Sequence, residues 1–115
     1  MKRTLLAITL LLGMSLARAG TLTTPSFVVK VTVNCAEGNV TCDDVTYVGT
    51  SRKTGKSIKL RGKTMHTLCA DGVTPCRFLG YEFRNGKIDY QVTEDGQLTV
   101  TQGKKTLLNE KGEWQ

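Results

Sequence analysis

The chain reads as an all-β protein, a small antiparallel β-sandwich or barrel built of hairpins and held by two disulfides. Three observations carry that reading. Past the N-terminal segment, no stretch repeats its apolar residues at the helical period. Glycine-bearing turn signals recur throughout, with Val, Thr and Tyr filling the short segments between them. Four cysteines fall in two matching octets, CAEGNVTC at 35–42 and CADGVTPC at 69–76.

The N-terminus has a different character. Lys2 and Arg3 precede an apolar run over residues 4–16, and Ala17-Arg18-Ala19 fits the small-x-small rule for signal cleavage. The run is too short for the roughly 20 residues that a spanning helix needs. Residues 1–19 are therefore expected to be a signal peptide cut after Ala19. Residues 20–115 then form one exported domain, periplasmic or secreted and not membrane-spanning. The full chain carries 16 basic and 10 acidic residues, a formal +6; without Lys2, Arg3 and Arg18 the domain is left at +3. That mild charge argues against a nucleic-acid binder, for which a strongly basic domain is expected.

The first strand runs over residues 27–33, where Phe27, Val29, Val31 and Val33 share one face. Residues 45–48 and 57–61 follow, then a weaker segment over 64–68. Asn85-Gly86 is a strong two-residue hairpin signal; placed there, the turn sets Phe83 opposite Ile88, Tyr81 opposite Tyr90 and Leu79 opposite Val92. At Glu94-Asp95-Gly96, a two-residue loop would turn Leu98 to the wrong face. A three-residue loop with Gly96 in the left-handed position instead pairs Val92 with Leu98 and Tyr90 with Val100. A last hairpin near Gly103-Lys104 is expected to bring Leu107 opposite Val100, with Trp114 closing the core.

Shifting the sequence by 34 residues superposes Cys35, Ala36, Gly38, Cys42, Tyr47, Lys53, Gly62 and Thr67 on identical residues. The fold is thus expected to contain an internal duplication of a strand, cysteine loop and hairpin unit. In an exported domain of this size, cysteines supply stability as disulfides. The spacing is wider than that of a four-cysteine metal site. Local pairing, Cys35–Cys42 with Cys69–Cys76, is the simplest connectivity; crossed pairing, Cys35–Cys76 with Cys42–Cys69, competes.

No catalytic constellation is legible. The single histidine, His66, lies in a strand segment and reads as a half-buried structural residue. Asp43-Asp44 and Glu94-Asp95 are sequence neighbours in turns, where they serve local hydrogen bonding rather than facing each other across a cleft. Glu37 and Asp71 occupy matching loop positions, but one acid per loop falls short of the six or more oxygens calcium needs. No enzyme activity, metal or cofactor is expected.

The densest charge lies in Arg52, Lys53, Lys56, Lys59, Arg61 and Lys63, with no acid between them. Lys59, Arg61 and Lys63 share one face of a strand and form a basic stripe able to meet anionic lipid, acidic glycan or an acidic protein surface. Alternatively, the stripe keeps an edge strand unpaired.

With a stapled scaffold and no chemistry, function is assigned to surface contacts by the two loops (Glu37, Asp71) and the basic residues. In layout the chain resembles the small exported bacterial inhibitors of lysozyme: a signal peptide, about one hundred residues, antiparallel strands and disulfides. Similar layouts occur among periplasmic immunity proteins. The Ser-Gly-x-x-Tyr loop of the C-type lysozyme inhibitors is absent, so no family residue is carried over. The resemblance implies a protein partner in the cell envelope, a hydrolase or a toxin. A net +3 opposes encounter with a strongly basic lysozyme. The alternative is an envelope module binding anionic lipid or glycan through the basic strand. A third expectation is that strand 27–33, if exposed, adds to a partner's sheet.

Overall fold

The computed structural model describes residues 18–115; apart from Arg18 and Ala19, the expected signal peptide lies outside them. The described residues contain no helix and form nine antiparallel strands. These are β1 (Arg18–Thr23), β2 (Phe27–Val33), β3 (Val45–Ser51), β4 (Ser57–Leu68), β5 (Pro75–Asn85), β6 (Ile88–Thr93), β7 (Gln97–Gln102), β8 (Lys105–Lys111) and β9 (Glu113–Trp114). β1 to β8 form a simple meander. β9 follows β8 after one glycine yet pairs with β1, at the opposite edge of the sheet. The architecture is therefore a nearly closed barrel rather than a sandwich.

The ladder shows how it closes. The row through Val33, Val45, Gly62, Phe83, Tyr90 and Val100 reaches Leu108 on β8. Followed the other way, through Arg18 and the β1–β9 register, the same row returns to the C-terminal strand about ten positions further on. Eight strands with such a stagger leave an interior that side chains fill, with room for one small ligand. Leu22, Val29, Val31, Val45, Tyr47, Phe83, Val92 and Leu98 occupy it, all at most 3% exposed. Tyr47 packs tilted against Phe83 and Tyr90, centroids 5.1 and 5.4 Å away. Burial, with Tyr90 beside it, pushes the Tyr47 hydroxyl well above its usual range and keeps it protonated.

Several expectations about register are met and several are corrected. Val92 faces Leu98 and Tyr90 faces Val100, with Gly96 at φ 96°. At the preceding hairpin Phe83 faces Tyr90 and Tyr81 faces Val92, because the loop is Gly86-Lys87 and Asn85 ends its strand opposite Ile88. Sliding the turn by one residue moves each partner by two, so the same face stays apolar and the hydrophobic pattern is blind to the change. Val100 faces Leu108 rather than Leu107, since a bulge between Val100 and Thr101 shifts the register and leaves Leu107 43% exposed. The two segments read at 57–61 and 64–68 are one strand, β4. It lies between β3 and β5, so its charges do not guard a sheet edge. β2 is likewise an inner strand, between β1 and β3, and cannot add to a partner's sheet.

β1 is a strand the hydrophobic pattern did not announce. Its one large apolar side chain, Leu22, is fully buried opposite Trp114. A cut after Ala19 would leave Gly20 to Thr23, with that pair intact. The seam between β1 and the C-terminal strand has two further ties. Gly112 donates its N–H to the Gly96 carbonyl at 2.8 Å, a backbone approach so close that a Cβ on Gly96 would lie 2.5 Å from the Gly112 oxygen. Glu110 accepts hydrogen bonds from the Ser26 amide (3.0 Å) and hydroxyl (2.6 Å) in the β1–β2 turn.

Burial pushes the Glu110 carboxyl up, but hydrogen bonds from Ser26 and Thr24 outweigh it and hold the group below its ordinary 4.5. A carboxylate with a depressed pKa stabilises the fold above that ordinary value, and the contribution is lost as pH falls through the folded value. Glu110→Gln is therefore expected to cost about 1 kcal/mol at pH 7, after solvent screening, a fall in Tm of about 4–8 °C. Thermal melts from pH 7 down to pH 3 should show the gap to the parent protein closing.

Candidate functional site at the stapled end

In a meander, alternate turns lie at opposite ends. The β2–β3 loop, the β4–β5 loop and the β6–β7 turn therefore share one end, and both disulfides lie there. Cys35 pairs with Cys42 and Cys69 with Cys76, so the crossed connectivity is excluded. The equal spacing, positive φ at Gly38 (98°) and Gly72 (74°), and the following strands ending at Ser51 and Asn85 agree with a 34-residue repeat. The correspondence stops at the next hairpin: β4 begins at Ser57, whereas β6 begins at Ile88, three residues earlier than the shift requires.

The two loops are not equivalent in packing. The first folds back on the barrel. Its Cys42 is buried, donating its N–H to the Thr64 hydroxyl (3.0 Å) and accepting from the Thr64 amide (2.8 Å). The second projects at the tip of the β4–β5 hairpin. There the Asp71 carboxylate accepts hydrogen bonds from the amides of Val73 and Thr74, both at 2.9 Å, and from the Thr74 hydroxyl. These bonds, the Thr74 hydroxyl foremost, pull the Asp71 carboxyl down to about 2. Asp71 is thus committed to its own loop, whereas the Glu37 side chain in the first loop has no hydrogen bond or ion pair among the described residues. The matching acids have different roles.

The remaining acids divide in the same way. Asp44 pairs with Arg61 at 3.4 Å, and Asp95 accepts from the Thr93 hydroxyl. Among the described residues, Glu37, Asp43 and Glu94 on the loops of the stapled end have no side-chain hydrogen bond or ion pair, and neither do Glu82 on β5 and Glu113 on β9. Three of the five exposed large apolar residues stand at the stapled end: Val40 at 70%, Leu68 at 58% and Val73 at 77%.

The basic run is split by the fold. Lys59, Arg61 and Lys63 do line the outer face of β4, as the alternation requires. Arg52, Lys53 and Lys56 lie in the β3–β4 turn at the far end, and Arg52 is tied to the Thr24 carbonyl at 2.8 Å. The β5–β6 and β7–β8 turns reach that same end and bring Lys87, Lys104 and Lys105, which the linear run did not include. The described residues contain two ion pairs, Arg61–Asp44 and Arg84–Asp89, so these lysines have no counter-charge. The far-end turns thus gather lysines, while the stapled-end loops carry Glu37, Asp43 and Glu94.

A cavity of about 610 Å³ opens at the stapled end, between the first loop, the upper part of β4 and β5, and the C-terminal strand. A chain of ring contacts crosses it: His66 to Phe78 (5.6 Å), Phe78 to Tyr81 (5.2 Å) and Tyr81 to Trp114 (6.5 Å), all edge-on. His66 reaches it because it lies on the same side of β4 as Gly62 and Thr64, and register shifts on either side of it re-aim the ring against Phe78. It is neither a base with a partner acid nor a satisfied core residue: Nε2 lies 3.0 Å from the Thr64 hydroxyl, while Nδ1 is buried without a partner. Alternation along β4 could have placed His66 inward; the bulges that complete the cavity leave no mark on composition. Among the described residues no three His, Cys, Asp or Glu side chains converge as metal ligands. No family model, no curated protein and no solved structure matches the chain.

The Asp71 geometry has a direct readout. The carboxyl carbon of Asp71, followed by NMR through an acid titration, should have its midpoint near pH 2. The Val73 and Thr74 amides should lose their protection from exchange over the same range, because a depressed carboxylate pKa means the loop contacts fail only as the acid form appears. In Asp71→Asn the two amides should be unprotected at every pH.

Proposed function

We propose that the protein is an exported, non-enzymatic binding protein that engages a cationic protein partner through its stapled end. It would act as an inhibitor or immunity protein acts, by covering a hydrolase or toxin of the cell envelope. The observation that carries this reading is what the loops of one end hold in common: exposed Val40, Leu68 and Val73, and the carboxylates of Glu37, Asp43 and Glu94 without side-chain partners. Exposed apolar side chains rimmed by charge are the usual composition of a protein-binding patch. Loops already closed by disulfides lose little further entropy on docking. Five of the domain's lysines, Lys53, Lys56, Lys87, Lys104 and Lys105, lie at the other end, which lessens the opposition of the net +3 to a basic partner here.

A second reading rests on those lysines. Lys53, Lys56, Lys87, Lys104 and Lys105 form a cationic end suited to anionic lipid or acidic glycan. The two readings separate cleanly. Three purified forms would be compared for what they retain from an envelope extract: the parent, Glu37→Lys/Asp43→Lys/Glu94→Lys, and Lys53→Gln/Lys87→Gln/Lys104→Gln. The expected result is one stoichiometric basic protein, held by the parent and the lysine variant and lost by the carboxylate variant. Retention should survive 0.3 M salt only in part, as expected for contacts that mix charge with apolar area. Retention by the carboxylate variant equal to the parent's would refute the first reading. Co-sedimentation of the parent with anionic vesicles would then favour the second.

A further inference from the structure

The two octets carry the same cysteine spacing, but the fold gives their disulfides opposite surroundings. Cys42 is 6% exposed, and Cys35 packs against the core beside it. The Cys42 backbone is tied to Thr64 in both directions, and its sulfur accepts the Asp44 amide hydrogen at 3.4 Å. The barrel wall thus shields the first disulfide. The second closes the tip of the β4–β5 hairpin, outside the core. Cys76 is exposed, Cys69 is half-buried, and every residue from Ala70 to Arg77 is exposed. Access decides which of two disulfides exchanges with an outside thiol, because the attacking thiolate must reach a sulfur atom.

The second bond can also open without opening the barrel. Its loop has hydrogen bonds of its own: Cys69 N–H to the Thr74 carbonyl at 2.8 Å, Gly72 N–H to the Cys69 carbonyl at 2.9 Å, and the contacts to Asp71. None of residues 69–77 belongs to the core, and the seam that closes the barrel lies on β1 and β9.

We infer that Cys69–Cys76 is a site of thiol–disulfide exchange with a dithiol, whereas Cys35–Cys42 is a structural staple. A thiolate of the dithiol attacks Sγ of Cys76, the more exposed half. A mixed disulfide forms as the Cys69–Cys76 bond breaks, and Cys69 leaves as a thiolate. The second thiolate of the dithiol then attacks its own sulfur in the mixed disulfide, and Cys76 leaves in turn. Two electrons pass to this chain as the dithiol becomes a disulfide, and the two protons the dithiol loses to solvent are replaced from solvent on Cys69 and Cys76. Leu68 adjoins Cys69, and Val73 lies within the loop the bond closes. Exchange therefore loosens part of the docking surface while Glu37 and Val40 stay on a loop still stapled. That consequence rests on the docking role proposed above; the exchange does not.

Dithiothreitol, added to the oxidised protein near neutral pH, tests the site. Samples taken over time are alkylated with N-ethylmaleimide, digested and weighed. Cys69 and Cys76 should take the label about tenfold or more faster than Cys35 and Cys42, as expected for an exposed against a shielded bond. A species with two labels should accumulate. In it the β1 amides should remain protected from exchange while those of Val73 and Thr74 do not. Equal labelling of the two pairs, earlier labelling of Cys35 and Cys42, or loss of β1 protection along with the first two labels would each overturn the assignment. No partner enters the measurement, so it and the capture from envelope extract succeed or fail separately.

Discussion

Trp114 stands opposite Leu22, and around that pair the two edges of the sheet meet. A meander of eight strands has two unpaired edges, each a row of unsatisfied N–H and C=O groups. Here the C-terminal strand pairs with β7 through β8, crosses at Gly112, and pairs with β1 through β9. Leu22 is fully buried, opposite Trp114 and with its side chain against Gly96. The clasp between Glu110 and Ser26 ties the turn that leads out of β1 to the same strand. The interior core, the staggered ends and the cavity all presuppose that join.

Closure also sorts the loops. Once the meander is a barrel, alternate turns must gather at opposite ends, and charges distant in sequence become neighbours. Glu37, Asp43 and Glu94 reach one end in this way, and Lys53, Lys87 and Lys104 the other. At the stapled end, residues of β1, β2, β4, β5 and β9 surround a common cavity. Aromatic side chains from β5 and β9 line the space left there.

Much of the frame was legible in the chain. Alternation in β2 gave the inward face, and the conflict at Leu98 selected the bulged turn at Gly96, because a slip of one residue inverts a strand's faces. The equal cysteine spacing pointed to local pairing. Legibility failed where the hydrophobic pattern is silent. A register change of two residues at Gly86 preserves every face, and a bulge at Val100 inverts only Leu107 and Leu108, which are both apolar. β1 has one large apolar residue, and its strand character comes from its partners. The basic run looked like one feature because its residues are adjacent in sequence, yet the β3–β4 turn divides it between an end and a wall. The site was the least legible part. Trp114 was expected to close the core, but its contact with Tyr81 and the aim of His66 depend on pairing across the seam and on the β4–β5 bulges.

If the C-terminal strand closes the barrel, its last residues matter out of proportion to their number. Deleting residues 113–115 removes the β1–β9 ladder and the indole while leaving the meander and both disulfides in place. Thermal unfolding of that shortened chain beside the parent is the most direct measurement. Loss of a packed tryptophan costs about 3 kcal/mol or more, so the account predicts a Tm lower by about 10 °C or more, with faster exchange at the amides of β1. A Tm within about 2 °C of the parent, with β1 amides still protected, would contradict it.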